Sequence, residues 1–175
     1  MAHLQPTDIL SELPPVRRYA RSLTRDDSAA DDVVQEALLK ALEKRNTFQP
    51  GGSVRVWLLA IVHNIFVSTQ RRARAEERRN ARFAESMIDH LDPDQEHSAY
   101  LQEVAEAFAR LPDPQRAILH LVAVEGQSYQ EAAAILGIPV GTVMSRLSRA
   151  RMALRRAQTR DADRELRVIG GRDAG

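Results

Sequence analysis

The segment YQEAAAILGIPVGTVMSRLSRARMALRR, residues Tyr129 to Arg156, carries two helical patterns on either side of a short turn. Ala133 is small enough to let two helix backbones approach closely, and Gly137 can adopt the left-handed conformation that ends a helix. Val143 supplies an apolar anchor on the second helix. Two helices that cross at a steep angle need these three residues at this spacing. The segment therefore predicts a helix-turn-helix.

The second helix, predicted to begin near Gly141 or Thr142, has one apolar face and one polar, basic face. Its apolar stripe has helical periodicity and must face the protein; it consists of Val143, Leu147, Ala150 and Leu154. Opposite lie Ser145, Ser148, Arg149 and Arg156, with Thr142 at the amino end and Met144 and Arg146 on the flanks. Such a face fits a DNA major groove, where arginine reads guanine and hydroxyls hold phosphates. The alternative is a solvated basic helix in a bundle.

Composition indicates an all-α protein of two small helical bodies. The 175 residues are 43% hydrophobic but only 5% aromatic, and helix formers dominate. The net charge of +1 conceals basic blocks at Arg71 to Arg82 and Arg146 to Arg160, whereas Glu85 to Glu106 holds acids and no Lys or Arg. Separate basic patches suggest two nucleic-acid surfaces.

Several classes of protein are disfavoured by what the sequence lacks. It has no cysteine, no basic-then-apolar signal at its amino terminus and no apolar run of membrane-spanning length. The five histidines are scattered without zinc-type pairing, and no phosphate loop or nucleophile elbow is present. We therefore expect a cytoplasmic protein without membrane insertion, catalytic residues, metal or cofactor.

The first part of the chain predicts a capped helix over about 29–44 with two distinct faces. Its core face holds Val34, Ala37, Leu38, Ala41 and Leu42. Its other face holds Asp32, Gln35, Glu36 and Leu39, a polar and acidic surface with one exposed leucine. An apolar group rimmed by polar ones is a common partner-binding arrangement. A merely solvated helix face is the alternative.

A loop and an apolar helix follow, leading into the first basic block. Asn46 to Ser53 contains Pro50-Gly51-Gly52 and reads as a loop. The apolar neighbours of Trp57 favour core packing over base stacking. From these patterns we predict domains over 1–84 and 99–158, joined by a flexible acidic linker over 85–98 and followed by a disordered tail over 159–175.

The chain resembles the extracytoplasmic-function sigma factors of the sigma-70 superfamily over roughly Leu13 to Arg156. The resemblance is carried in the first half by the motif Asp31-Asp32-Val33-Val34-Gln35-Glu36-Ala37 and by Trp57-Leu58, Asn64 and Arg71-Arg72. In the second half it is carried by Leu111-Pro112, Gly126 to Ala133, Leu136 to Val143, Ser145-Arg146-Leu147 and Arg149-Ala150-Arg151. It implies a factor that binds core RNA polymerase and directs promoter-specific initiation, typically in a stress response.

The resemblance also implies a role for each surface. The first domain would bind the clamp helices of the polymerase's largest subunit through Asp32, Gln35, Glu36 and the adjacent Leu39. It would recognise and open the minus-10 element through Phe48, Asn64, Ser68, Arg71 and Arg72. The second domain would contact the flap of the second-largest subunit, and would bind the minus-35 element through Thr142, Met144, Ser145, Arg146 and Arg149. An anti-sigma protein is the implied regulator.

Two positions depart from the family pattern, and one residue has a second interpretation. Relatives often carry an acid where this chain has Ser68, and a lysine or arginine where it has Met144. The second departure predicts weaker phosphate anchoring or altered base preference at that spot. Asn64 lies on an otherwise apolar helix, so a structural hydrogen bond is the alternative to a role in DNA binding.

Two other functions remain open at this point. An ordinary helix-turn-helix regulator would need a sensor or dimerisation region, which is not evident. A sigma-like mimic that sequesters an anti-sigma protein could lose its DNA-reading residues. The presence of Asn64, Arg146, Arg149 and the basic block at Arg71 argues for the working factor.

Overall fold

The ordered elements of the chain are helices. The computed structural model describes the backbone of residues 4–80 and 99–169, and the side-chain surroundings of residues 4–78 and 104–156. The α-helices are α1 (Pro6–Ser11), α2 (Leu13–Thr24), α3 (Asp27–Lys44), α4 (Val54–Asn80), α5 (Ala99–Ala109), α6 (Asp113–Leu119), α7 (Tyr129–Leu136) and α8 (Val140–Ile169). A 3₁₀ turn at Arg45–Thr47 follows α3, and a π-helical turn at His120–Val124 follows α6. The predicted all-α fold is confirmed over these described ranges.

Helices α1 to α4, residues 4–80, are called the first half below. Prolines in the first turn open α2, where a missing N–H leaves no hydrogen bond unmade. Asp26 caps α3 by accepting a hydrogen bond from the Ala29 N–H at 2.6 Å. Helices α2, α3 and α4 pack against one another, and their buried faces meet around Tyr19, Leu59 and Val62.

The core face of α3 differs from the prediction by one position. Leu42 was expected in the core, but 41% of its surface is exposed, whereas Val33 is buried. The buried residues Ala30, Val34, Ala37 and Ala41 follow the helical period, and Leu42 lies one position beyond that stripe. Leu39 and Leu42 therefore share an exposed apolar surface.

Helices α5 to α8, residues 99–169, are called the second half. Ser128 caps α7 and forms a capping box with Glu131. Gly137 ends α7 with φ at 62°, and the Ile138 N–H closes the turn onto the Ala133 carbonyl at 3.1 Å. Helices α5, α6 and α7 each pack on α8, so α8 is the central helix of this half.

The bounds of α8 differ from those read off the sequence. The helix begins at Val140, one or two residues before the predicted start. It continues to Ile169, although a disordered tail was predicted from residue 159. Residues Arg155 to Ile169 contain neither glycine nor proline and are rich in helix formers, so nothing interrupts the helix before Gly170. The predicted linker at 85–98 and residues 170–175 lie outside the described residues.

The two halves are in direct contact. Helix α4 packs against α7, and α2 packs against α6 and the π-helical turn. The first half thus meets the helix that precedes the predicted DNA-reading helix. No helix in the described ranges combines the length and the apolar character that crossing a membrane requires.

Candidate nucleic-acid and protein interfaces

The acidic face predicted on α3 is exposed as a group. Asp32, Gln35 and Glu36 are all solvent-accessible, and Leu39 is 63% exposed. The opposite face of α3 is buried against α2 and α4. The surface formed by Asp32, Gln35, Glu36, Leu39 and Leu42 is called the α3 patch below.

A lysine that the sequence reading passed over belongs to this surface. Lys40 donates to the Glu36 carboxylate at 2.6 Å, one helical turn away. An exposed pair at this spacing contributes little to stability, about 0.3–0.5 kcal/mol. A partner that binds the Glu36 carboxylate must therefore either displace the Lys40 ammonium or contact it as well.

Phe48 begins the loop between α3 and α4 and packs against Trp57. Their ring centroids are 5.4 Å apart and their planes meet at 62°. Both rings are partly buried against the core, as predicted for Trp57. Gly51 adopts φ of 87°, which lets the loop turn, and the Gly52 N–H donates to the Gln49 carbonyl at 3.0 Å. The ring of Phe48 is thus held at the edge of this tight turn.

The other residues predicted to act at the minus-10 element lie along α4. Asn64 is exposed, and no hydrogen bond of its side chain is found among the described residues. Ser68 is half-buried, and its hydroxyl donates to the backbone carbonyls of Asn64 and Ile65. Arg71 and Arg72 are exposed two turns farther along. Asn64 and the arginines therefore present free polar groups, whereas the Ser68 hydroxyl is already engaged.

The residues predicted for the minus-35 element lie at the start of α8, opposite its buried stripe. Val143, Leu147 and Ala150 are buried at 0%, 2% and 0% exposure. Ser145 and Arg149 are exposed, and Met144 is 55% exposed; Thr142 and Arg146 are half-buried. The Ser145 hydroxyl donates to the Thr142 carbonyl at 3.1 Å.

Arg146 differs from its neighbours in its electrostatic effect on the first half. Burial lowers the pKa of His63 on α4 to about 4, and the charge of Arg146 adds to that shift. Helix α7 packs against both α4 and α8, so it links the helix that carries Asn64 to the helix that carries Arg149. The α3 patch lies opposite the face of α3 that is buried against α2 and α4.

The contact between the halves contains a cluster of titratable groups that the sequence analysis missed. Tyr19 is fully buried; its hydroxyl lies 3.0 Å from His63 Nδ1, and its ring centroid lies 5.6 Å from that of His120. Burial raises the pKa of Tyr19 and lowers that of His120, the latter against the opposing effect of Glu125. Histidines that appear scattered in the sequence thus converge on one tyrosine.

An ion pair between a half-exposed arginine and a buried carboxylate lies beside this cluster. Arg18 donates from Nε and Nη2 to the two carboxylate oxygens of Glu125, at 3.0 and 2.9 Å. The Glu125 side chain is 1% exposed, and its Oε1 also lies 3.1 Å from His120 Nε2. The hydrogen bond to Glu125 raises the pKa of Arg18. A bidentate, charge-assisted pair is among the stronger polar contacts in proteins.

A buried cation, Arg116, joins the halves through main-chain carbonyls. Its guanidinium donates to the carbonyls of Ser22 and Leu23, the latter at 2.9 Å. It also donates to the Leu111 carbonyl at 2.8 Å and to Asp113 at 2.7 Å. Burial lowers the pKa of Arg116, and Asp113 opposes that shift.

None of the described residues forms a cluster of three or more His, Asp or Glu side chains suited to a metal ion. The arrangement instead offers three surfaces for macromolecules: the α3 patch, the exposed face of α4 beside the Phe48 loop, and the exposed face of α8.

Two family models match the chain, one in each half. Residues 101–154 match the model described as Sigma-70, region 4. Residues 9–63 match the Sigma2 domain of PhyR. The first match runs from α5 through the first half of α8, and the second from within α1 to the middle of α4.

Curated proteins and solved structures extend the similarity over most of the chain. The sigma factor EcfG of Rhodopseudomonas palustris is 41% identical over 148 residues, covering 84% of this chain and 81% of the relative. The sigma factor RpoE of Bartonella quintana, solved with the anti-sigma factor NepR, has a TM-score of 0.74 at 36% identity, covering 87% and 95%. CnrH, solved with the cytosolic domain of CnrY, has a TM-score of 0.60 at 29% identity, covering 89% and 86%.

The relatives and the structural neighbours span both halves of the chain, and the region 4 model matches the second half. The chain therefore belongs to the extracytoplasmic-function sigma factors of the sigma-70 superfamily.

Proposed function

We propose that this protein is a bacterial alternative sigma factor that binds core RNA polymerase and directs promoter-specific transcription initiation. Its similarity to EcfG and RpoE over most of their lengths supports this function. The observation that carries the proposal is the exposed basic face of α8, where Arg149 and Ser145 lie opposite the buried stripe.

The α3 patch is the proposed contact with the clamp helices of the polymerase's largest subunit. Leu39 and Leu42 form its exposed apolar centre, from which a partner helix can exclude water. The acidic residues around this centre can pair with basic groups of the partner. Because the centre is apolar, most of the binding free energy should come from the leucines rather than from the acids. The flap of the second-largest subunit is the proposed contact of the second half.

Helices α4 and α8 are the proposed promoter surfaces. Asn64, Arg71, Arg72 and the Phe48 loop would capture and hold the minus-10 element as its strands separate, since unstacked bases need polar edges and a basic backbone track. Ser68 would act there indirectly, by holding the main chain of α4, because its hydroxyl donates to the carbonyls of Asn64 and Ile65. The exposed face of α8, from Thr142 to Arg149, would read the minus-35 element in the major groove.

Sigma factors are transcription initiation factors rather than enzymes, and nucleotide polymerisation belongs to the partner polymerase. We infer that the protein acts in the cytoplasm, without cofactor, in a stress response and under an anti-sigma protein. Its structural neighbours support control by an anti-sigma protein. RpoE was solved in complex with the anti-sigma factor NepR, and CnrH was solved in complex with the cytosolic domain of CnrY.

A sigma-like mimic is the second candidate function, favoured by one observation. The first half matches the Sigma2 domain of PhyR. PhyR of Bartonella quintana is an anti-anti-sigma factor that was solved in complex with the anti-sigma factor NepR. Such a protein binds an anti-sigma factor and has no need of a DNA-reading face. The exposed Asn64, Arg71 and Arg149 side chains therefore favour the working factor.

Run-off transcription distinguishes the two candidates. Purified protein and core polymerase are combined on a library of genomic promoters at stated salt, because affinity for DNA falls steeply with salt. A working factor gives promoter-specific transcripts that Arg149→Ala weakens. If no promoter-specific transcript appears at permissive salt while the protein binds an anti-sigma protein, the mimic is the correct function.

A further inference from the structure

Met144 is a large apolar side chain near the start of α8, and 55% of its surface is exposed. The residues one turn before and one turn after it on the same side are Gly141 and Ser148, which have no side chain and a short one. Among the described residues, no side chain other than those of its chain neighbours lies within 4 Å of where a Cβ of Gly141 would be. A long helical side chain leans toward the turn that precedes it, here that of Gly141. The thioether of Met144 therefore projects beyond its neighbours on this side of α8.

The arginines of α8 lie away from this position. Successive residues of a helix turn by about 100° and rise by about 1.5 Å. Arg146 and Arg149 therefore point about 160° and 140° away from Met144, and Arg151, which shares its side, lies ~10 Å farther along the axis. A DNA phosphate beside Met144 would meet no cation of the described part of α8. The contact that Met144 itself can make with DNA is apolar.

The major groove of DNA presents one apolar group that suits such a side chain. Base pairs carry hydrogen-bond donors and acceptors there, and thymine adds its 5-methyl group. A thioether placed against the donors and acceptors would remove water from them without replacing its hydrogen bonds, which is unfavourable. Against a thymine methyl group, both partners bury apolar surface, which is favourable. An apolar side chain at this place thus selects thymine over the other bases.

Met144 is also placed where a helix of this kind meets base edges. The amino-terminal residues of a recognition helix approach the bases most closely. Ser145, the next residue, is exposed, but its hydroxyl already donates to the Thr142 carbonyl at 3.1 Å. Met144 and Arg149 are five residues apart, or ~7.5 Å along the helix, and successive bases of one strand are about 3.4 Å apart. The two side chains can therefore reach base pairs within about three steps of each other.

We propose that Met144 is a specificity-determining residue that contacts the 5-methyl group of one thymine in the minus-35 element. That thymine lies within about three base pairs of the base read by Arg149. This inference rests on the proposed function, since it assigns a base contact to the helix proposed to read that element. The contact distinguishes one base without using charge or a hydrogen bond.

Uracil tests this contact, because it differs from thymine by the methyl group alone. Holoenzyme is assembled from the full chain and core polymerase, and its affinity is measured on a promoter that it transcribes. Each thymine of the upstream element, on either strand, is replaced by uracil in turn. We expect one replacement to weaken binding about fourfold, which corresponds to one buried methyl-sized group. Met144→Ala should bind the thymine promoter at least as weakly and should bind the thymine and uracil promoters equally.

Met152→Ala is the matched control, because Met152 is 47% exposed on the same helix, about two turns beyond Met144. This variant should keep the full preference for thymine over uracil. Met144→Lys gives a second readout, since an ammonium at this place can bind a phosphate. We expect this variant to lose the preference and to steepen the fall of log affinity with log salt by about 0.9. Circular dichroism and urea denaturation establish that each variant is folded.

Two results would overturn the assignment: no thymine at which uracil weakens binding by more than about twofold, or a loss that is as large in Met144→Ala as in the wild type. The second result would mean that the methyl group acts through the shape of the DNA rather than through Met144. Absence of any promoter-specific transcript overturns the proposed function and this assignment together. Transcripts without dependence on the methyl group overturn the assignment alone.

Discussion

Phe48 and Trp57 meet edge to face, with ring centroids 5.4 Å apart. Trp57 projects from α4, so the contact ties the loop after α3 to the helix that carries Asn64. An aromatic pair of this geometry contributes about 0.5–1.5 kcal/mol beyond its buried area. The position of the proposed base-capturing loop therefore depends on a residue that need not touch DNA.

We predict that Trp57→Leu slows promoter opening while leaving upstream-element binding unchanged. Leucine keeps much of the apolar contact with the core but releases Phe48. Opening is followed by the fluorescence of 2-aminopurine placed in the minus-10 element. Trp57→Phe, which can restore the edge contact, should recover most of the rate. A Leu variant that opens DNA as fast as the wild type would show that the loop is positioned by other contacts.

Replacing Arg149 with alanine should weaken binding to the minus-35 element by about 1 to 3 kcal/mol, because an arginine that reads a base edge supplies discrimination of that size. The change is measured by anisotropy titration of an upstream-element duplex. Arg110→Ala serves as the control, since Arg110 is an exposed arginine of the second half that lies outside α8 and pairs with Glu106 of α5. Equal losses for both variants would indicate that Arg149 contributes only general charge.

Charge introduced into the α3 patch should weaken polymerase binding. Leu39→Glu places an acid at the apolar centre, and we expect at least a tenfold loss of affinity for core polymerase, about 1.4 kcal/mol. Leu10→Glu is the matched control, because Leu10 is 58% exposed on α1 and lies outside the patch. Both affinities are measured by biolayer interferometry. If Leu39→Glu binds like the control, another surface carries the polymerase contact.

Acidification should lower the stability of the folded protein. Burial, with a smaller contribution from the charge of Arg146, lowers the pKa of His63 to about 4, whereas a histidine in an unfolded chain titrates near 6.5. Between these values the unfolded state binds a proton that the folded state excludes, so the contribution of His63 to stability is fully present above pH 6.5. The folded state then loses up to ~1.4 kcal/mol per pH unit as the pH falls toward 4.

The groups around the second histidine preserve this direction. Burial and Arg18 lower the pKa of His120, and Glu125 opposes them without reversing the shift. The free energy of unfolding, from urea denaturation, is compared at pH 7.5 and pH 5.5, with His63→Gln as the control that removes one titrating group. An unfolding free energy that is equal at both pH values, or a His63→Gln variant with undiminished pH dependence, would contradict the prediction.

Removing the capping residue of α7 should lower the stability of the second half. Ser128 accepts from the Glu131 N–H at 3.2 Å, and Glu131 accepts from the Ser128 N–H at 2.8 Å. We expect Ser128→Ala to cost about 1 kcal/mol, measured by urea denaturation. Ser148→Ala on the exposed face of α8 should cost much less, because Ser148 caps no helix. Equal costs would mean that α7 is held by packing alone.

Local signals were sufficient to predict several elements. The turn after α7 required only Gly137 and its apolar neighbours, and the buried stripe of α8 followed from the helical period of Val143, Leu147 and Ala150. The acidic face of α3 was predicted for the same reason. Each of these features depends on residues within a few positions of one another, where backbone preference and periodicity decide the outcome.

The features that were missed depend on tertiary contacts. Leu42 follows the apolar period nearly as well as its neighbours, and only the packing of α2 and α4 decides that it stays exposed. The bond from Arg116 to the Leu23 carbonyl joins residues 93 positions apart. A sequence gives no sign of which helix end a distant arginine will cap, because every helix end offers the same carbonyls.

The π-helical turn at His120–Val124 has a consequence for how this protein tolerates change. In an α-helix, residues five positions apart point about 140° away from each other. Here the Glu125 N–H donates to the His120 carbonyl at 3.0 Å, and their side chains meet. That main-chain bond needs no particular side chain, whereas deletion of one residue, such as Ala123, would rotate Glu125 by about 100°. The number of residues in the turn therefore determines whether Glu125 reaches His120, and substitution one residue at a time would never reveal this dependence.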